Sequence, residues 1–299
     1  MRPANLALLA DRGIVRVAGA DAKKLLQGLI TNDMDRLDTE PAIHAALLSP
    51  QGKILFEFFV VGSPEAYLLE TAAAQAANLS KRLLLYKLRA RVEISDQSAN
   101  YAVFALWGAA CPGPAALPFA IAFRDPRLVD LGTRIIVQNA ACAAVAAAPG
   151  TRPATAEDWH RHRIGLGVPE ADRDYRLGDT FLHEANYDQL GGVSFAKGCF
   201  IGQEVASCMQ HRGGGRKRIL AVEGTAPLTA NAAIKAGTVS LGSLGSIDGR
   251  RALALVRLDR AAEALAAGAV ITADAVPISL IKPVWAQFAT APAPGTEAV

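Results

Sequence analysis

The residues with most chemical potential in this sequence lie between Lys197 and Arg218. The stretch Lys197-Gly198-Cys199-Phe200-Ile201-Gly202-Gln203-Glu204 sets a cysteine between a lysine–glycine pair and a Phe-Ile-Gly step. The pattern beyond it predicts a helix from Gly202 or Gln203 to His211. A thiol where a loop enters a helix feels the positive end of the helix dipole and unpaired backbone N–H groups, and Lys197 adds a nearby cation; both favour the thiolate. A buried cysteine that only packs is the other reading, and the residues alone leave both open. Arg212-Gly213-Gly214-Gly215-Arg216-Lys217-Arg218 follows. It reads as a solvated basic loop, or as an anion site where guanidinium groups and glycine-freed N–H groups hold a carboxylate tail or phosphate. No aromatic residues interleave these charges, which argues against single-stranded nucleic acid.

The elements that must position this stretch begin with a strand at Gly13 to Val17. Asp21 is placed to cap a helix with Leu25, Leu26, Leu29 and Ile30 on one side, ending in Thr31-Asn32-Asp33. Ile43 to Leu48 and Ile54 to Val61 form a hairpin about Ser49-Pro50-Gln51-Gly52. Alternation puts Leu55, Glu57 and Phe59 on one face of its second strand. Glu57 is either an acid on a wet face, the commoner case, or a carboxylate with a chemical task. A strand at Ala66 to Glu70, a helix at Ala73 to Leu88 and a strand at Arg91 to Ser95 complete an α+β pattern with helices on one side of a sheet. Short strands mix with turns to Val137, including Cys111-Pro112-Gly113-Pro114, and an alanine-rich helix precedes Pro149-Gly150.

Thr155 and Asp158 make a capping-box pair for a helix through Trp159 and Ile164. His160, His162 and the arginines near them read as solvated, because zinc would need a third ligand at helical spacing. After Arg218, short strands separated by Gly, Asp and Asn predict a small β-barrel. A net charge of +3 over 299 residues carries no argument for nucleic acid. Four scattered cysteines without Cys-x-x-Cys spacing point to a reducing cytoplasm. No apolar run approaches the roughly 20 residues of a bilayer span, so no membrane partner is predicted.

Lys197 to Glu204 resembles the signature of the YgfZ family, folate-binding proteins that assist iron–sulfur protein maturation. They are relatives of the glycine-cleavage T-protein, a tetrahydrofolate-dependent aminomethyltransferase. Gln27-Gly28-Leu29-Ile30-Thr31-Asn32-Asp33, Leu48-Ser49-Pro50-Gln51-Gly52-Lys53, Tyr86-Lys87-Leu88-Arg89, Leu190-Gly191-Gly192-Val193-Ser194-Phe195 and Arg251 to Asp259 are similar to the same family. The resemblance implies an α+β, T-protein-like folate-binding fold of two α+β subdomains with a C-terminal small β-barrel. Residues 1–218 would be the folate-binding region with a junction near 149–155, residues 219–288 the barrel, and residues 289–299 a disordered tail.

It further implies tetrahydrofolate, or a one-carbon derivative, held by Trp159, Glu184, Asn32 and Arg212. Cys199 would be the working thiolate, with Lys197 beside it. That thiolate would be a transient iron–sulfur ligand shared with a carrier or scaffold protein or an apo-enzyme, since a cluster wants four thiolates, or would act in redox exchange with the cluster donor. The alternative is a tetrahydrofolate-dependent aminomethyl- or methyltransferase with Glu57 as its acid–base group. A folate-binding module without chemistry is the third reading, and whether the chain is an enzyme stays open. Two positions depart from the family: Gly13 replaces a tryptophan, and Cys208 replaces an arginine and is expected on the buried side of its helix.

Overall fold

The computed structural model describes residues 3–63, 65–108, 120–211 and 215–290. The Cys111 to Pro114 turn, Arg212 and the tail from 291 on lie outside them. Contacts divide the chain into two compact units, Met1–His160 with Leu190–Gln203, and Arg161–Gln189 with Glu204–Val299.

The first unit holds two five-stranded sheets. One runs in the order β3 (Ala42–Leu48), β4 (Ile54–Ser63), β5 (Ala66–Ala72), β2 (Arg12–Ala18), β6 (Glu93–Asp96), antiparallel throughout. The other runs β10 (Thr151–Pro153), β1 (Ala4–Leu8), β7 (Tyr101–Trp107), β9 (Thr133–Gln138), β8 (Ala120–Arg124). Its β1 and β10 pair in parallel across most of the unit's sequence.

The predicted hairpin forms, with Gly52 N donating to Ser49 O at 2.9 Å and Gly52 at φ 79°. Helices α1 (Ala22–Leu29) and α2 (Ala73–Lys87) lay Leu26, Leu29, Ala76, Leu79 and Leu83 on Val15, Val17, Phe56, Phe58 and Val60. Asp21 does not cap α1; its carboxylate accepts Arg91 N at 2.8 Å and the Arg91 guanidinium instead. Short helix α3 (Cys142–Ala146) closes the far side of the second sheet with Val145.

The other face of β4 is also covered. Phe59 lies 6.2 Å from Phe123 of the second sheet, so the strand has no wet side. Glu57 is buried, contrary to the wet-face reading, because both sheets of the unit contribute to what encloses it.

Helix α4 (Ala156–Leu166) starts with the predicted box: Asp158 N donates to Thr155 Oγ1 at 3.1 Å, and Thr155 N to Asp158 Oδ2 at 2.8 Å. Helix α5 (Gln203–His211) leads into the barrel of the second unit. The barrel order is β11 (Lys217–Gly224), β14 (Arg251–Arg257), β13 (Val239–Asp248), β12 (Ala233–Ala236), β15 (Ile271–Ala273), β16 (Val276–Ile281), closed by pairing of β16 with β11. Closure leaves no sheet edge, and Leu220, Val222, Ile234, Leu241, Leu244 and Val256 fill the interior. Leu258 and Ala261 of α6 (Leu258–Ala266) join this core.

Arg163 is not among the solvated charges expected of α4. It is buried, with Nη1 donating to Asp174 Oδ2 at 2.6 Å and to Val168 O at 3.0 Å, and Nη2 to Ser246 Oγ at 2.6 Å.

Gly13 is where α2 approaches β2 most tightly. A Cβ there would stand 2.5 Å from Ser98 Oγ and 3.0 Å from Ala73 Cα. The missing indole therefore has no space at this position. Gly13→Ala is expected to cost about 1–3 kcal/mol of stability, the usual range for overpacking, read as a lower urea midpoint; an unchanged midpoint would show that the helix yields freely.

Candidate functional site

The segment carrying Cys199 is stitched to the end of α1 and to β3 within the first unit. Thr31 Oγ1 donates to Gly192 O at 2.7 Å and accepts Ala46 N at 2.9 Å. Asn32 Nδ2 donates to Gly191 O at 2.8 Å and to His44 O at 2.7 Å. Ser194 N donates to Thr31 O at 3.0 Å. These bonds use up the two residues at which α1 gives out.

Lys197 completes the attachment. Its Nζ donates to Gln27 O at 2.7 Å, Ile30 O at 2.7 Å and Asn32 O at 2.8 Å. A helix end leaves carbonyls unpaired and carries partial negative charge, and an ammonium group with three donors answers both. The sequence reading set this cation beside Cys199; its ammonium is instead spent on carbonyls in and just beyond the last turn of α1. Burial pushes the Lys197 amine down to about 8, with Asp33 and Asp35 opposing. The ammonium also stands 5.4 Å from the Phe200 ring centre.

Cys199 lies between two buried anchors, Lys197 and Phe200, and is itself exposed. Ile201 packs on the core of the first unit. At Gly202 (φ 79°) a Cβ would come within 2.6 Å of Ser49 O, so only glycine makes this turn into α5. Since α5 starts at Gln203, Cys199 lies in the loop ahead of its first turn. Cys208 is exposed on α5 rather than packed inward. Among the described residues no three His, Cys, Asp or Glu side chains converge as a metal site.

Glu57 belongs to a buried chain of charges between the two sheets, which the sequence reading missed. His44 Nε2 lies 3.0 Å from Glu57 Oε1, and Arg127 Nη1 4.0 Å from the same oxygen. Arg127 Nη2 donates to Asp125 Oδ2 at 2.8 Å, Arg134 Nε to Asp125 Oδ2 at 3.2 Å, Arg134 also to Glu70, and Arg12 Nε to Glu70 Oε1 at 2.9 Å. The Arg127 and Arg134 guanidinium groups sit 4.9 and 4.6 Å from the Phe59 ring centre. The signal available in sequence was an ionisable residue inside each of several apolar strands.

The residues named for folate are engaged by protein. Trp159 is 1% exposed, with its ring edge-on to Trp107 at 5.6 Å and the Arg134 guanidinium 5.5 Å from it. Asn32 is fully buried; its amide donates to His44 O and Gly191 O, and its Oδ1 accepts Asp33 N and Arg36 Nη1. In the second unit Glu184 Oε2 accepts Phe181 N at 3.0 Å, and Oε1 is 3.8 Å from Lys217 Nζ. Trp159 offers no open face to a pterin, and Asn32 no spare donor. These residues do not fit tetrahydrofolate as expected.

Residues 9–112 match the family model described as GCVT N-terminal domain, and residues 216–288 match that of the CAF17 C-terminal beta-barrel domain. The fold is shared with glycine cleavage system aminomethyltransferase T from Bartonella henselae, with a TM-score of 0.76 over 95% of this chain and 87% of that one at 15% identity. The mitochondrial iron-sulfur cluster assembly factor IBA57 homolog of Mycosarcoma maydis is 34% identical over 230 residues, 72% of this chain and 56% of that protein. Human iron-sulfur cluster assembly factor IBA57, mitochondrial, is 34% identical over 251 residues, 77% of this chain and 69% of the human protein. The chain belongs to the IBA57 family. It spans little more than half the length of the fungal IBA57 homolog. The resemblance to YgfZ is thereby refined, since these relatives carry the IBA57 name. The cytoplasmic placement is corrected: the relatives are described as mitochondrial. Cysteine usage reports a reducing interior and cannot tell one such compartment from another.

Two predictions follow from this geometry. Lys197→Met removes the donor to the buried Ile30 and Asn32 carbonyls and to the half-buried Gln27 carbonyl, so it should cost roughly 2–4 kcal/mol in denaturant unfolding. Wild-type stability would show that the clamp is dispensable. The second concerns pH. Burial lowers the His44 pKa, outweighing Glu57. The unfolded chain therefore binds a proton that the folded chain refuses, and this group's contribution, present above about 6.5, is lost as pH falls below that value. Thermal unfolding of His44→Asn should consequently lose less stability between neutral and mildly acidic pH than the wild type; an unchanged slope contradicts the assignment.

Proposed function

We propose that this chain assists iron–sulfur cluster assembly, as the IBA57 relatives are described to do, and that Cys199 is where it meets the cluster or the protein carrying it. The supporting observation is an exposed thiol on a segment anchored at both sides by buried residues. Such an arrangement presents sulfur outward at a fixed position, as a shared ligand needs. One thiolate supplies one cluster ligand, so a carrier or apo-enzyme contributes the rest. The mitochondrial naming of the relatives supports action in that compartment.

Tetrahydrofolate has no part in this role, because Trp159 and Asn32 are committed to internal contacts. Glu57 is likewise held against His44 in a buried charge chain, which gives aminomethyl transfer no supporting observation.

The test is complementation of cells lacking the native protein. Cys199→Ala should leave the dependent iron–sulfur enzymes as inactive as no complementation does, while the purified variant melts like the wild type because the side chain is exposed. Full enzyme activity with Cys199→Ala would overturn the role of the thiol.

A further inference from the structure

The outer face of α2 and the turn after it present leucine and positive charge together. Leu84, Leu85 and Leu88 are 45%, 69% and 87% exposed. Leu83, inside the core, and Leu85 are two positions apart and so point roughly 160° from each other on a helix. Between Ala72 and Val92 the sequence has Lys81, Arg82, Lys87, Arg89 and Arg91 but no Asp or Glu. All of these basic residues except the half-buried Lys87 are exposed. Asp21, paired with Arg91, is the acid bordering the patch on the α1 side.

Leu88 is held there against its own preference. It lies at φ 46° and ψ −111°, in a turn closed by Ala90 N donating to Lys87 O at 2.8 Å. Glycine normally fills that conformation, and a leucine in it is strained. The core gains nothing from the strain, because the Leu88 side chain is the most exposed of the three.

The composition separates two kinds of occupant. Protein interfaces concentrate aromatic residues at a centre from which lysine is depleted. Here lysine and arginine lie among leucines at the end of a helix, without an exposed aromatic. That mixture suits a bilayer surface, where leucines enter the headgroup–acyl boundary and cations meet anionic headgroups. The earlier expectation of no membrane partner rested on the lack of a spanning segment. No helix among the described residues is long and apolar enough to cross a membrane, and a peripheral contact needs none. We infer that this face, from Lys81 to Arg91, docks reversibly on an anionic phospholipid surface. The inference is independent of the role of Cys199.

The test is co-sedimentation of the full-length protein with vesicles of phosphatidylcholine alone and of phosphatidylcholine mixed with phosphatidylglycerol. Binding is expected only to the mixed vesicles and should weaken as salt is raised. Each basic side chain at such a surface strengthens binding roughly fivefold, so Lys81→Glu/Arg82→Glu should lose at least about 25-fold. Arg250→Glu/Arg251→Glu on the barrel, with the same charge change, should lose far less. Leu88→Gly should reduce vesicle binding while leaving the melting temperature equal or higher, since it removes both side chain and strain. No binding to the mixed vesicles, equal binding to phosphatidylcholine, or an equal loss in the barrel control would overturn the inference. Capture of a soluble acidic protein by this face, with no vesicle binding, would overturn it in favour of a protein partner.

Discussion

The arrangement around Cys199 depends on one buried cation. Helix α1 ends without a side-chain cap of its own making, and the carbonyls of Gln27, Ile30 and Asn32 turn toward a single point. An unmet carbonyl inside a protein is costly, and so is a buried ammonium without acceptors. Each solves the other's problem only if the chain returns, some 170 residues later, to place Lys197 there. The return fixes the path of the segment. Two residues beyond the lysine, the backbone has no alternative but to carry Cys199 past the surface before Phe200 and Gly202 lead it back. The exposure of the thiol thus follows from a helix terminus and from close backbone contact at Gly202, rather than from anything particular to sulfur.

A second constraint shapes the same unit. The two sheets meet through alternating charges, Arg12, Glu70, Arg134, Asp125, Arg127 and Glu57, instead of a purely apolar seam. Burial opposes ionisation of Asp125, yet the charges and hydrogen bonds of Arg127 and the charge of Arg134 outweigh it, holding its carboxyl well below the usual range. Neighbouring Phe59 gives the guanidinium groups a ring to lie against. Such a seam is weak evidence for stability and a strict specification of how the sheets register, because any misplacement strands a charge. It also explains why the carboxylates of β4 and β5 are poor candidates for open acid–base chemistry.

Much of this was legible in the chain. The hairpin about Ser49 to Gly52, the Thr155–Asp158 box and the barrel after Arg218 each carry local turn or capping chemistry, and each forms. The Cys199 stretch was legible because its glycines and cysteine are unusual together. What escaped notice was non-local. Strand β1 pairs with a segment nearly 150 residues away and reads alone as a short apolar run. Asp21 caps nothing, because Arg91, just ahead of the neighbouring strand β6, competes for its carboxylate. Lys197 looks like a neighbour of Cys199 in sequence, and its long side chain is free to reach the opposite way. Glu57 reads as wet until a second sheet is known to lie over it.

The account rests on the Lys197 ammonium being buried against the α1 carbonyls, and side-chain nitrogen NMR of the full-length protein observes that group directly. The Lys197 amine should appear as a separate signal, slow to exchange and titrating near pH 8. Rapid exchange with water together with titration near the ordinary lysine value of about 10.4 would contradict the account.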